Sequence, residues 1–150
     1  MKHLKLFFAL FAMLALGVGN AWGAEWEKVT SAPADWSGEY LLVYESNSTA
    51  YVWTGVDAAN CYIEGTISSN KISGDFVSLT IATMTGGYSI KVNGGTNNGK
   101  YIYGTSGSNK INFGTKANAN TLTYESSSTK IVSNTSVMRY NSNADNLRFR

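Results

Sequence analysis

The amino-acid sequence predicts an all-β fold: one β-trefoil-like or related small closed barrel of short antiparallel strands and hairpins, preceded by a signal-peptide helix. Three observations point there. Short runs of Val, Ile, Leu and Tyr are punctuated throughout by Gly, Ser, Thr and Asn. Beyond the N-terminal leader, no segment carries a long apolar stripe at helical spacing with caps. A block of strands and turns also recurs, imperfectly, at a period of about 40 residues.

The leader comes first. Lys2 and Lys5 precede an almost wholly apolar run from Leu6 to Val18, and small residues follow at Ala21 and Gly23. That is the layout of an export signal cut after Gly23, leaving Ala24 as the mature N-terminus. The apolar run is shorter than the roughly 20 residues a membrane-spanning helix needs. Cys61 is the only cysteine and lies far from the cleavage point, so a soluble exported product is expected rather than a lipoprotein.

Cleavage alters the charge. The whole chain has 12 Lys+Arg against 10 Asp+Glu, and losing Lys2 and Lys5 leaves 10 against 10. A near-neutral chain has no general attraction for nucleic acid or an anionic membrane. His3, the only histidine, leaves with the leader. Cys61 has no partner for an intrachain disulfide and reads as a small apolar filler within a strand.

The remainder, 24–150, is read as a single domain. Pro33, the only proline, sits in an early polar connection. Strands are expected at 25–30, 39–44, 51–54, 62–67, 77–84, 88–92, 100–103, 110–113, 121–124, 130–133, 138–140 and 147–149. Thr85-Gly86-Gly87 and Asn93-Gly94-Gly95 supply the positive-φ positions of tight hairpins. One helical turn is expected within 54–60. By alternation, Ile102 faces inward with Tyr101 and Tyr103 opposite, while Val52 faces inward with Tyr51 and Trp53 opposite.

The clearest repeat is Gly87-Tyr88-Ser89-Ile90-Lys91-Val92, then Gly99-Lys100-Tyr101-Ile102-Tyr103-Gly104, then Asn109-Lys110-Ile111-Asn112-Phe113. Fainter copies begin at Gly38-Glu39-Tyr40 and at Lys130-Ile131-Val132. The Gly-Tyr-x-Ile and Gly-Lys-Tyr pattern resembles the repeat unit of β-trefoil and related barrel domains. The span from Ala24 to Arg150 resembles more closely an uncharacterised family of secreted β-domains from gut-dwelling bacteria. Trp26-Glu27-Lys28-Val29, Gly38-Glu39-Tyr40-Leu41-Leu42-Val43, Met138-Arg139-Tyr140 and Leu147-Arg148-Phe149-Arg150 carry that likeness with the central block. The resemblance implies export, no assigned activity, and a closing strand beyond Arg150, without which an edge stays open beside the first strand.

Chemistry is narrowed by what the mature chain lacks. Ser-His-Asp and Cys-His catalysis need a histidine base, and histidine-based zinc sites need the same side chain. The segment 93–100 is glycine-rich and ends in Lys100, yet it joins two strands, whereas a phosphate loop opens a helix. Asn141-Ser142-Asn143-Ala144-Asp145 spaces oxygen ligands but lacks the glycine and distal glutamate of a calcium loop, so a turn is expected. Arg139, Arg148 and Arg150 read as edge protection. Paired carboxylates, drawn from acids such as Asp35, Glu39, Asp57 and Glu64, leave a glycoside hydrolase as the one enzymatic alternative. No catalytic residue, metal or cofactor is assigned.

The aromatic set is the candidate binding feature. Tyr51, Trp53, Tyr101 and Tyr103 fall on equivalent strands of two repeats, with Asp57, Asn60, Asn97 and Asn98 nearby. Flat rings suit the C–H faces of sugars, and amides suit their hydroxyls. Rings of this kind also serve as packing beneath loops. The expected function is a secreted, non-catalytic binding module. Carbohydrate is the first ligand class, and a protein-interaction or structural role at the cell surface is the alternative.

Overall fold

The computed structural model describes residues 9–13, 23–125, 128–141 and 148–150. They form fifteen strands, and no helix occurs among the described residues. The strands are β1 (Ala9–Met13), β2 (Glu25–Lys28), β3 (Gly38–Ser46), β4 (Thr49–Trp53) and β5 (Tyr62–Thr66). Next come β6 (Lys71–Ser73), β7 (Ser78–Met84), β8 (Gly87–Asn93), β9 (Tyr101–Tyr103) and β10 (Asn112–Gly114). The last are β11 (Thr121–Glu125), β12 (Ser128–Ser133), β13 (Ser136–Val137), β14 (Tyr140–Asn141) and β15 (Arg148–Phe149).

A ten-stranded sheet runs β10-β9-β8-β7-β3-β1-β2-β6, with β4 paired to β3 and β5 to β4. A three-stranded sheet (β11-β12-β13) and a β14–β15 pair complete the fold. Strand β3 is the spine. One of its edges holds β1 along Tyr40 to Val43. The other holds β7 along Gly38 to Tyr40 and then β4 from Val43 to Ser46. The sheet therefore divides at β3, and its β5 and β6 ends come together at Gly65 and Ile72 without a ladder between them. No ladder among the described residues joins its ends, which corrects the expectation of a closed barrel. The repeats also pair unequally. β3-β4-β5 and β8-β9-β10 are meanders, whereas β12-β13 and β14-β15 belong to separate sheets.

Burial follows from that layout. Tyr40, Leu41, Leu42 and Val43 are consecutive and all buried, as a strand covered on both faces requires. Tyr40 and Leu42 enter a core with Trp36, Trp53, Leu79, Ile81, Ile90 and Ile102. Leu41 and Val43 enter a second core with Trp26, Ala50, Val52 and Ile72. Each fully buried aliphatic side chain contributes about 1.5–3 kcal/mol relative to exposure.

The leader departs from expectation. Ala9–Met13 is a strand between β2 and β3, where a helix was expected. It is paired along both edges, antiparallel to each neighbour. The rest of the leader, 1–8 and 14–22, lies outside the described residues. The helical turn expected within 54–60 is also absent, and that segment is a run of bends and a turn. No helix among the described residues is long and apolar enough to cross a membrane.

The glycine hairpins form as expected. Met84 pairs with Gly87 across Thr85-Gly86, and Gly86, Gly94 and Gly95 all have positive φ. Two further hairpins use other residues. Ser69 and Asn70 both take positive φ between the bridged Ser68 and Lys71, as do Asn134 and Thr135 between Ser133 and Ser136. Strands β6 and β13 follow from these turns and were not anticipated. The turn read at 141–145 falls outside the described residues beyond Asn141.

Candidate functional site

The aromatic residues singled out from the sequence do not form one platform. Trp53 is buried to 1 % exposure. Its indole N–H donates to the Val56 carbonyl at 2.7 Å, and its ring stacks on Phe113 with centroids 6.1 Å apart. This corrects the outward placement of Trp53. The β4 strand is covered on both faces, with Val52 in one core and Trp53 in the other, so alternation there does not separate dry from wet.

Tyr51 is half-buried in a cluster of rings. Tyr62 meets it edge-on at 5.0 Å, and Tyr44 lies 5.9 Å away. Tyr140 stacks on Tyr44 at 4.0 Å and meets Phe149 edge-on at 5.0 Å. Such pairs contribute about 0.5–1.5 kcal/mol beyond area burial. Burial first, and then the neighbouring Tyr62, Tyr51 and Tyr44, push the Tyr140 hydroxyl well above its ordinary pKa. Its oxygen is buried with no hydrogen-bond partner among the described residues.

The polar residues divide as well. Asn97 is buried, and its amide donates to the Gly55 carbonyl at 2.9 Å while its oxygen accepts from Lys100 at 3.1 Å. It ties loop 94–99 to loop 54–60 and does not face solvent, which corrects its place in a ligand-binding set. Asn98 is exposed, but its oxygen accepts the Gly94 N–H at 2.8 Å. Asn60 is an exposed turn residue with φ of 56°. Asp57 is half-buried, with one carboxylate oxygen enclosed and without a hydrogen-bond partner among the described residues.

Tyr101 and Tyr103 flank the buried Ile102 on β9, as alternation predicts, and both are half-buried. Tyr101 lies opposite Gly114 and Tyr103 opposite Asn112. The Tyr103 ring spreads over Gly114, where an added Cβ would come within 3.2 Å of it.

Tyr103 also lines a cleft of about 310 Å³. One wall is the β9–β10 connection and the other is the β12–β13 hairpin. Hydrogen bonds hold the walls together. Gly104 N–H donates to Ser133 Oγ at 2.8 Å, Asn134 to the Gly104 carbonyl at 2.9 Å, and Ser136 to the Thr105 carbonyl at 3.1 Å. The buried side chains of Ile102, Ile111 and Ile131 lie at its base. Lys110 and Arg139 are exposed residues of the lining, and neither makes an ion pair among the described residues. Arg139 and Arg150 exchange both backbone hydrogen bonds, at 2.7 and 2.8 Å, and Arg150 also lines the cleft.

No Asp or Glu is among the residues of that lining. Of the sequence candidates only Tyr103 belongs to it. The partners it acquires are Ser108, from an expected connection, Asn109 and Lys110, from the repeat block and its expected strand, and Arg139, which the sequence reading gave to edge protection. No protein-family model, curated protein or solved structure matches the chain.

Proposed function

We propose that this chain is an exported, non-catalytic binding module for carbohydrate, and that the Tyr103 cleft receives a sugar bearing an anionic group. The observation that carries this reading is the lining itself. It combines a tyrosine, serine and asparagine groups, and the cations Lys110 and Arg139, with no Asp or Glu side chain to oppose them. The ring suits a sugar's C–H face and the hydroxyls and amides suit its hydroxyls. The guanidinium suits a carboxylate or sulfate through paired N–H donors. Export rests on the leader, 1–23, and on the likeness to secreted β-domains.

A glycoside hydrolase would place two carboxyl groups about 5–9.5 Å apart across its substrate. The acid-free lining favours binding over that chemistry. A protein-interaction role is the second reading, favoured by the apolar strand seated between β2 and β3.

An array of neutral, uronate-bearing and sulfated glycans tests the proposal. The parent chain is expected to bind acidic sugars, and Tyr103→Ala and Arg139→Ala to weaken binding at least about tenfold, the equivalent of 1.4 kcal/mol. A silent array, or cleft variants that bind like the parent, would refute it.

A further inference from the structure

Strand β1 is held on both sides. Leu10 pairs with Leu42, Phe11 with Leu41 and Ala12 with Tyr40 on β3. Phe11 pairs with Lys28, Ala12 with Glu27 and Met13 with Trp26 on β2. In that register Trp26, Leu41 and Val43 lie on one face of the sheet and Tyr40 and Leu42 on the other. Both faces are layered. Strand β12 packs against β1, and the Trp26–Leu41–Val43 core occupies the opposite side.

In the export reading given above, β1 belongs to the segment that is cut away after Gly23. Its loss would leave two unpaired strand edges about 10 Å apart, twice the usual interstrand spacing. One of those edges runs along Tyr40-Leu41-Leu42-Val43, all buried while β1 is present. A gap this wide cannot close by one strand shifting slightly, and open apolar edges recruit strands. The ion pair between Lys28 and Glu45 links β2 to β3 across the gap independently of β1. Trp26 and Ile72 also share one buried core with Leu41 and Val43, which helps to hold β2 and β6 in place.

We propose that the gap between β2 and β3 is a strand-acceptor site, and that a partner protein fills it after leader cleavage. The occupant is an extended, proline-free segment of at least the five residues β1 spans, lying antiparallel to both neighbours. It is apolar at consecutive positions, because both of its faces are covered. This separates it from ordinary addition of a strand to a sheet edge, where alternate side chains face water. Ala9-Leu10-Phe11-Ala12-Met13 is the template for that chemistry.

The test keeps the whole chain. A protease site replacing residues 18–22 allows the folded protein to be nicked without removing β1. A fluorescein-labelled peptide of residues 6–14, flanked by lysines, is then titrated in and followed by anisotropy. Saturable exchange is expected in the nicked protein and not in the uncut one. Peptides carrying Leu10→Pro, or Leu10→Glu with Ala12→Glu, should bind at least about tenfold more weakly, since each loses ladder bonds or buries charge. Absence of exchange in nicked, folded protein would overturn the proposal, and so would equal binding of all three peptides. Mass spectrometry of the exported protein tests the other half. A mature chain starting at Ala24 supports a vacated site, whereas a retained leader shows that the site is never vacated and overturns it. The two failures are told apart because one is read by anisotropy and the other by mass.

Discussion

Replacing Gly87 with alanine probes the junction between the large sheet and the three-stranded one. Gly87 has φ of 147°, a region that side chains rarely enter, and its added Cβ would lie 2.5 Å from the Asn120 carbonyl oxygen. That oxygen accepts the Tyr88 N–H at 2.9 Å, and the Asn120 N–H returns to the Tyr88 carbonyl at 2.8 Å. The Asn120 side chain adds a further bond to the Tyr88 carbonyl at 3.0 Å. The backbone conformation alone should cost about 1–3 kcal/mol. Displacing Asn120 removes at least one buried hydrogen bond, for about another 1 kcal/mol. Gly99→Ala is the internal comparison, because its φ is +77° but nothing lies within 4 Å of the new Cβ. It should cost about 1–2 kcal/mol from conformation alone. Urea unfolding of both variants measures the difference, and hydrogen exchange at Tyr88 and Asn120 locates it. Equal destabilisation of the two variants, with protection at Tyr88 and Asn120 retained, would refute the steric argument.

Other substitutions separate packing from recognition. Trp53→Ala should lower stability by about 3–5 kcal/mol, as expected for emptying a buried indole site. Trp53→Phe should leave glycan binding intact, and a selective loss of binding in a stable Trp53→Phe protein would return this residue to the surface. Tyr140→Phe removes a buried hydroxyl with no hydrogen-bond partner and should be neutral or stabilising by about 1 kcal/mol. The same hydroxyl titrates near 10 in an unfolded chain and higher in the fold. This group therefore leaves stability independent of pH below about pH 10 and lowers it as pH rises further, because the unfolded chain releases its proton first. Thermal melts between about pH 9 and about pH 11 should fall less steeply for Tyr140→Phe than for the parent. An identical pH slope would show that Tyr140 is not the titrating group.

The strand content of this fold was legible because alternation and glycine turns are local signals. Thr85-Gly86-Gly87 marks its hairpin directly, since glycine enters positive φ without steric cost. The Ser69-Asn70 and Asn134-Thr135 turns carry a weaker mark, and strands β6 and β13 were missed with them. Side-chain direction failed where a strand is covered on both faces. Tyr51-Val52-Trp53 reads as one dry and two wet positions, yet Trp53 lies beneath Phe113 because a non-local strand, β10, brings that ring over it. The same limit hid the cleft. Lys110 and Arg139 are separated in sequence, and only the docking of the β12–β13 hairpin on Gly104 and Thr105 brings their segments together. The apolar leader was read from its length and flanks, and nothing local in it disclosed the two ladders that make Ala9–Met13 a strand.

The central position of β3 bears on when this protein can become compact. Its partner β7 is synthesised only after three more strands, β4 to β6, have been made, so the segment through Ser73 emerges without the ladder that flanks Gly38 to Tyr40. Non-local pairing of this kind slows folding. The segment through Ser73 nonetheless holds all the ladders among β1 to β6 and every buried member of the Trp26–Leu41–Val43–Ile72 core, so this part of the fold can pack while the Trp36–Trp53–Ile81 core still awaits the strands that complete it.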